Sequence, residues 1–112
     1  MAFTKREARR GRRYDGIVLD PPSYGHGKGG ARWELESGIG PLLEVCLAVA
    51  DPGAFLVLTA HTAGWDGSRL RMAVEATTRT RTARLAAGEL ELTAASGVAL
   101  PLGAFVHADL AT

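Results

Sequence analysis

The chain has 112 residues, which is enough for one domain with a modest core. Hydrophobic residues make up 46% and charged residues 22%, and the net charge is +1, which is the composition of a soluble globular protein. Neither intrinsic disorder nor a strongly polyanionic partner follows from these figures. The charge is uneven, because six lysines and arginines fall within the first 13 positions and only Glu7 opposes them there.

Cys46 is the only cysteine, which rules out an intramolecular disulfide and gives no support to secretion. No stretch approaches the roughly 18 apolar residues that span a bilayer, and no apolar segment of a signal peptide follows the basic start. We therefore expect a soluble, cytoplasmic protein without a membrane partner. No set of His, Cys, Asp and Glu has metal-ligand spacing, so no metal site is expected.

The first elements in chain order are a helix and a strand. Residues 2–13 predict the end of a helix, with Gly11 as its breaker. Ile17-Val18-Leu19 is a continuous apolar run, typical of a strand that is buried on both faces of a parallel sheet. Asp20-Pro21-Pro22 ends this strand because proline cannot donate to a ladder. The glycine-rich residues 23–40 then predict a loop.

A helix and a second strand follow. Apolar residues three and four apart predict an amphipathic helix from Pro41, with Pro41 in its first turn and Asp51-Pro52-Gly53 at its end. Residues 54–59 form a second strand without a polar face. The next helix begins near residue 68, and Ser68 or Asp66 is its expected N-cap.

Two closing strands complete the chain. Residues 89–92 alternate with a period of two and residues 103–107 form a short apolar run, so we expect an antiparallel pair over residues 84–92 and 104–108. The order strand, helix, strand, helix and two closing strands predicts an open α/β sheet. The expected fold is a partial Rossmann-like sheet, with two parallel strands, their helices and a closing antiparallel strand.

Asp20 and the residues after it lie where chemistry is expected. Open α/β sheets bind ligands beyond the carboxyl ends of their strands. The proline after Asp20 holds its backbone extended, so its carboxylate projects from the strand tip, and the carbonyls of Asp20 and Pro21 are free to accept from a ligand. A rigid turn with a solvated carboxylate is the alternative. The apolar strand before it and the glycine-rich loop after it favour a site.

The segment Asp15-Gly16-Ile17-Val18-Leu19-Asp20-Pro21-Pro22-Ser23-Tyr24 resembles motif IV of class I S-adenosylmethionine-dependent methyltransferases. It is closest to the branch whose motif reads Asp-Pro-Pro-Ser, which is related to bacterial ribosomal-RNA methyltransferases. The resemblance continues through residues 55–61 and the closing segments 88–90 and 100–105, and covers the chain from Arg9 onward. It implies that the last strand inserts between the two before it, giving the spatial order first, second, fourth, third.

The resemblance implies transfer of a methyl group from S-adenosylmethionine to a substrate nucleophile. RNA is the expected substrate class, and protein or a small molecule is the alternative. At the matching positions, Asp20 and the Pro21 carbonyl would accept hydrogen bonds from a substrate amino or amide group, and Asp20 would also contact the cofactor. Pro22 would hold that geometry. Ser23 and Tyr24 would shape the substrate pocket, with Tyr24 as a stacking surface for a base.

His61 lies at the tip of the second predicted strand and would line the substrate pocket; a histidine that caps the next turn is the alternative. Family members that methylate a cytosine carbon carry a cysteine nucleophile in this loop, which here reads Thr59-Ala60-His61-Thr62. Cys46 falls on the apolar face of a predicted helix, where an inert buried thiol is expected. A covalent cysteine mechanism is therefore disfavoured.

The family's cofactor site, a glycine-rich turn after the first strand, has no counterpart in the sequence. The glycines of residues 25–30 follow the motif IV strand and have the wrong spacing for a dinucleotide fingerprint, so we interpret them as a substrate-side loop. We expect residues 1–112 to be the carboxyl-terminal portion of a methyltransferase domain, inactive alone and partnered by a missing cofactor-binding half. The alternative is a non-catalytic remnant that at most binds RNA weakly through its basic N-terminus.

Overall fold

The computed structural model describes residues 1–26 and 32–112. The predicted substrate-side loop, residues 25–30, lies outside the described residues from position 27 onward. The elements in chain order are α1 (Ala2–Arg9), β1 (Tyr14–Leu19), β2 (Tyr24–His26), β3 (Arg32–Glu34), α2 (Leu35–Ala48), β4 (Ala50–Ala60), α3 (Gly67–Thr78), one 3₁₀ turn (Arg79–Arg81), β5 (Thr82–Thr93) and β6 (Ala99–Leu110).

Four of the strands form a mixed sheet in the order β1-β4-β6-β5. β1 pairs in parallel with β4, whereas β6 runs antiparallel to both β4 and β5. The last strand thus inserts between its two predecessors. The predicted spatial order and the partial Rossmann-like architecture are confirmed.

The core lies between one face of the sheet and the helices α2 and α3. Leu56 and Leu58 of β4 point to this face because successive strand residues alternate between faces. They are at most 1% exposed and pack with Leu43 of α2 and Leu70 of α3. Each of these fully buried leucines contributes about 1.5–3 kcal/mol of transfer free energy, so this layer holds the strand ends in place.

The opposite face of the sheet is more open. Val18 of β1 is 70% exposed and Phe55 of β4 is 42% exposed. The expectation that the first strand is buried on both faces is therefore wrong for the described residues. β1 lies at the edge of the sheet, and α2 and α3 pack on the other side.

The prediction of a loop over residues 23–40 is also wrong for the residues of this segment that the structure describes. β2 and β3 form an antiparallel hairpin, and α2 begins at Leu35, so Pro41 lies inside the helix and not in its first turn. A side chain at Gly38 would overlap the Trp33 ring, which packs against the helix there. Packing thus overrides the low helix propensity of this segment.

The helix ends also differ in detail from their predicted positions. α2 ends at Ala48, so Asp51-Pro52-Gly53 lies inside β4, where the register with β1 jumps. Asp66 is the N-cap of α3, since its carboxylate accepts from the Arg69 amide at 2.8 Å. In the part of the chain that the structure describes, no helix is long and apolar enough to cross a membrane.

α1 is attached to the start of β1. The Tyr14 hydroxyl donates to the Glu7 carboxylate, and this hydrogen bond is the main reason that the pKa of Tyr14 is raised above its ordinary value. Glu7 is buried and also lies 3.6 Å from Arg10. The remaining basic side chains of α1 therefore stay in solvent.

Candidate active site

The candidate site lies where the carboxyl ends of β1 and β4 meet. Leu19 pairs with Leu58 in the parallel ladder, so the next residues, Asp20 and Thr59, come side by side. The Thr59 hydroxyl donates to Oδ1 of Asp20 at 2.6 Å. The end of one strand therefore orients the carboxylate at the end of its neighbour.

His61 connects the same carboxylate to β6, the strand beside β4. Its Nε2 lies 3.1 Å from Oδ1 of Asp20, and its Nδ1 contacts the carbonyl of Leu102 in β6. A carbonyl and an ionised carboxylate both only accept, so the ring donates to both when each nitrogen carries a proton. Asp20 is thus connected through His61 to the strand that closes the sheet.

Gly103 makes room for this connection. Its φ is 131°, a conformation that side-chain-bearing residues rarely adopt, and a Cβ at this position would overlap the Ala60 carbonyl oxygen and crowd Nδ1 of His61. Glycine is therefore required where β6 passes the end of β4. Because Gly103 has no side chain, His61 can reach the backbone of β6.

The Asp20 carboxylate remains accessible to a ligand. The side chain of Asp20 is 63% exposed and that of His61 is 51% exposed, so solvent screens their attraction. Among the described residues, the contacts of Thr59 and His61 both fall on Oδ1, which leaves Oδ2 without a partner there. The two contacts therefore orient the Asp20 carboxylate and add little to the stability of the fold.

The turn after Asp20 is fixed from three sides. The Trp33 indole N–H donates to the Pro22 carbonyl at 2.8 Å, and the Leu35 amide donates to the Ser23 carbonyl at 3.1 Å. The Ser23 and Thr62 hydroxyls lie 2.7 Å apart in a hydrogen bond, which joins the loops that follow β1 and β4. Hairpin, helix and loop together hold the Pro22–Ser23 backbone.

The Pro21 carbonyl has no donor in the hydrogen bonds recorded for residues 1–26 and 32–112. Whether it accepts from a ligand stays a prediction. The Pro22 carbonyl, in contrast, is occupied by Trp33. The hairpin therefore holds the Pro22 backbone in place.

The structure brings together some of the predicted site residues and not others. Asp20 and His61 are in contact, and Ser23 is linked to the residue that follows His61. Tyr24 lies on the hairpin and is 77% exposed, beside a groove and not in contact with the carboxylate. Thr59 was not predicted as a site residue. The sequence did contain a signal for it. Thr59 ends the second predicted parallel strand, and Asp20 directly follows the first, so the two were expected at the same edge of the sheet.

Cys46 is buried in α2, as predicted. Burial raises the pKa of its thiol above the ordinary value. A thiol held in its neutral form is a poor nucleophile. Within the described ranges, no group of three or more His, Cys, Asp or Glu side chains is placed to hold a metal ion.

Comparison with known proteins gives a consistent result at the level of fold. Neither a protein-family model nor a curated protein matches the sequence. A solved structure of an S-adenosylmethionine-dependent methyltransferase from Agrobacterium tumefaciens superposes on 97% of the chain with a TM-score of 0.87 and 31% sequence identity. The chain spans 37% of the length of that protein.

Two further solved structures share the fold at lower identity. One, described as a methyltransferase in complex with S-adenosylhomocysteine, matches 96% of the chain with a TM-score of 0.70 and 17% identity. The other, from Streptococcus mutans and described as S-adenosylmethionine-dependent, has a TM-score of 0.70 and 14% identity. The chain covers 29% and 28% of these two proteins. It therefore has the fold of one part of these longer chains.

Proposed function

We propose that this chain forms the acceptor side of the active site of an S-adenosylmethionine-dependent methyltransferase. The observation that carries the proposal is the Asp20 carboxylate, held by Thr59 and His61 where two parallel strands end and directly before a double-proline turn. The likeness to a methyltransferase at 31% identity over 97% of the chain supports it.

The residues of the site fit S-adenosylmethionine as the methyl donor. This cofactor supplies a methyl group that is already electrophilic because the sulfur carries a positive charge. The exposed carboxylate of Asp20, with one oxygen uncommitted among the described residues, is compatible with a cationic neighbour. Position 20 is thus proposed to contact the cofactor as well as the acceptor.

The cofactor is proposed to bind mainly to a second polypeptide segment. The two parallel strands in the described ranges end in Asp20-Pro21 and His61-Thr62, and neither end is a glycine-rich turn. An apolar hollow of about 210 Å³ lies beside the edge of β1, lined by Phe3, Val18 and Cys46 among others. We propose that the cofactor-binding half pairs with this edge and fills the hollow.

The chain's own residues would act by alignment and charge. Asp20 and the Pro21 carbonyl accept hydrogen bonds from an amino or amide group of the acceptor and so direct its lone pair. As positive charge develops on the acceptor, the carboxylate disperses it and can take up the proton that is released. Because Thr59 and His61 fix the carboxylate beforehand, little reorganisation is needed.

RNA is the proposed substrate class. The support is the resemblance at positions 15–24 together with a group of exposed basic residues at and after α1, which are Lys5, Arg6, Arg9, Arg10, Arg12 and Arg13. Such a group binds RNA phosphate by releasing counterions. The same surface favours the second candidate, a non-catalytic chain that binds RNA weakly through this end, and that binding would fall steeply as salt is raised.

Replacing Asp20 with asparagine tests the role of the carboxylate. In a preparation that contains the cofactor-binding half, D20N should lower the rate of methyl transfer by about 10²–10³-fold, since the charge that the site offers to the acceptor is lost. The measurement is transfer of labelled methyl groups from S-adenosylmethionine to RNA. D51N is the matched control, because Asp51 lies at the start of β4, at the opposite end of the sheet.

Two results would count against the proposal. Unchanged turnover in D20N would remove Asp20 from the mechanism. Calorimetry of the 112-residue chain alone addresses the location of the cofactor site, and binding of S-adenosylmethionine at micromolar affinity would contradict a separate cofactor-binding half.

A further inference from the structure

A groove of about 410 Å³ lies between the last turn of α3 and the first residues of β5. Its lining residues are Glu75, Arg79, Thr82, Ala83, Arg84 and Leu85. Arg84 pairs with Asp109 of β6, and Asp109 pairs with Phe55 near the start of the ladder between β4 and β6. The level of Asp20 is roughly 13 Å further along the strands, and β1 is at the opposite edge of the sheet. The groove is therefore separate from the candidate active site.

The backbone of Arg79 is in a conformation that side-chain-bearing residues rarely adopt. Directly after the end of α3, its φ is 53° and its ψ is −117°. Glycine is the usual residue where a helix ends with a positive φ, because it has no Cβ to clash. Strained positions of this kind cluster where a side chain binds a ligand. The chain thus has a guanidinium at a position where glycine would give a more stable turn.

The arginines of this segment differ in what they contact. The Arg81 guanidinium donates to the carbonyls of Leu47 and Ala50 at 3.2 and 3.4 Å, so it holds the end of α2 in place. Arg79 and Arg84 are exposed and form no ion pair with another described residue. Two positive side chains therefore line one groove and are not used to hold the fold together.

Glu75 is the acidic residue in the lining of the groove. Its Oε1 accepts from Nε of Arg71 at 2.9 Å, one turn earlier on α3. This ion pair largely cancels the charge of the carboxylate. The charges of Arg79 and Arg84 remain, so the groove attracts an anion.

The backbone of β5 adds possible donors to the groove. The register of β5 against β6 shifts between Thr82 and Arg84, which leaves Ala83 outside the ladder. β5 is also an edge strand, with which no further described strand pairs. Backbone amides on such an edge are not committed to the sheet, and uncommitted amides beside positive side chains are typical of anion sites.

We infer that this groove binds a phosphate group between Arg79 and Arg84. The planar guanidinium offers two parallel donors, which match two oxygens of a phosphate. The phosphate belongs either to the backbone of an RNA chain or to a small phosphate compound, and the groove meets the same oxygens in both. The inference goes beyond the proposed function, because it needs neither S-adenosylmethionine nor an acceptor at Asp20.

The test is titration of the 112-residue chain with inorganic phosphate at constant ionic strength, followed through the backbone amide signals by NMR. Saturable shifts should fall on residues 79–85. Arg84→Gln should weaken binding by about 5-fold, the upper value for an exposed ion pair. Arg32→Gln is the matched control, because it removes the same charge from an exposed side chain on the hairpin, outside the groove.

Arg79→Gly separates binding from stability, because the two should change in opposite directions. The affinity for phosphate should fall by about 5-fold. The melting temperature should equal or exceed that of the wild type, since glycine adopts the positive φ without strain. A melting temperature below that of the wild type would show that Arg79 stabilises the turn, and would overturn the inference.

Unchanged phosphate affinity in both Arg79→Gly and Arg84→Gln, or no saturable shift in the wild-type chain, would also overturn it. Acetate is the comparison anion, and equal shifts with acetate would contradict a phosphate site. A short RNA with a 5′-hydroxyl end distinguishes the two sources. Displacement of phosphate from residues 79–85 by this RNA would identify the RNA backbone as the ligand, and bound phosphate that the RNA does not displace would identify a small phosphate compound.

These measurements are independent of the proposed function. Phosphate binding that both arginine substitutions weaken, in an enzyme that transfers no methyl group, would refute the methyltransferase and leave the phosphate site in place. Methyl transfer by an enzyme that fails the phosphate test would do the reverse.

Discussion

Thr59 and Asp20 form a contact between the tips of two parallel strands. Threonine has the β-branched shape that strands favour, so Thr59 continues an otherwise apolar run. Its hydroxyl adds one directed donor without changing that shape. The strand thus provides both a packing surface and an orienting group at its last positions.

Thr59→Val removes the donor and keeps the shape of the side chain. Because Asp20 is largely exposed, we expect a small change in stability, within about 1.5 kcal/mol, the usual net contribution of one hydrogen bond. The maximal rate of methyl transfer should fall more than acceptor affinity. Thermal melting and steady-state kinetics check both expectations, with Thr77→Val on α3 as control. Wild-type kinetics in Thr59→Val would show that the hydroxyl does not position Asp20.

The sequence predicts part of this site because the signal is local. Asp20 precedes two prolines at the end of an apolar run, and His61 follows another such run. The contact of His61 with Leu102 and the need for glycine at position 103 could not be predicted. Both depend on the register of β6 against β4, which leaves no local pattern in the sequence.

At the scale of elements, the helices and strands with a regular hydrophobic pattern were predicted correctly, whereas those in the glycine-rich segment were not. β4, α3, β5 and β6 follow hydrophobic periods, and their types and order are confirmed. The hairpin and the first two turns of α2 contain glycines that the sequence alone assigns to a loop. Gly38 is there because the Trp33 ring occupies the space of a side chain, a tertiary contact that propensity cannot show.

The contact of α3 with β5 provides a test at this scale. A Cβ on Gly67 would lie 2.9 Å from the backbone of Gly88, which cannot rotate away. Gly67→Ala should therefore destabilise the fold by about 1–3 kcal/mol, as overpacking does, and lower the melting temperature by about 4–8 °C per kcal/mol. Ser68→Ala, one position along and exposed, should stay within about 0.5 kcal/mol. A melting temperature for Gly67→Ala at or above that of the wild type would contradict this packing.

At the scale of the whole molecule, two features dominate the behaviour expected of the chain. They are the edge of β1, with which no further described strand pairs, and the open face beside it. An unpaired edge with apolar neighbours is a template for pairing with another chain. Val18 and Phe55 lie on this open face. The solved relatives are longer, and the chain spans 37% of the first of them. We propose that the edge is covered when the cofactor-binding half is present.

The 112-residue chain expressed alone should self-associate. Val18→Lys places a charge on the edge strand and should increase the monomeric fraction measured by sedimentation velocity, because a charge must be desolvated for strands to pair there. Met72→Lys is a control with nearly the same exposure, 68% against 70%, on α3. A wild-type chain that sediments as a monomer would contradict the expected role of this edge.

The Ser23–Thr62 bond and the Asp20–Thr59 bond both join residues of this chain. We propose that the acceptor side of the site is accordingly self-contained and forms before any second segment docks against β1. The choice of acceptor would then be determined by this chain, and the affinity for the methyl donor by the cofactor-binding half. A chimera that combines this chain with the donor half of a related enzyme should methylate the acceptor chosen by this chain.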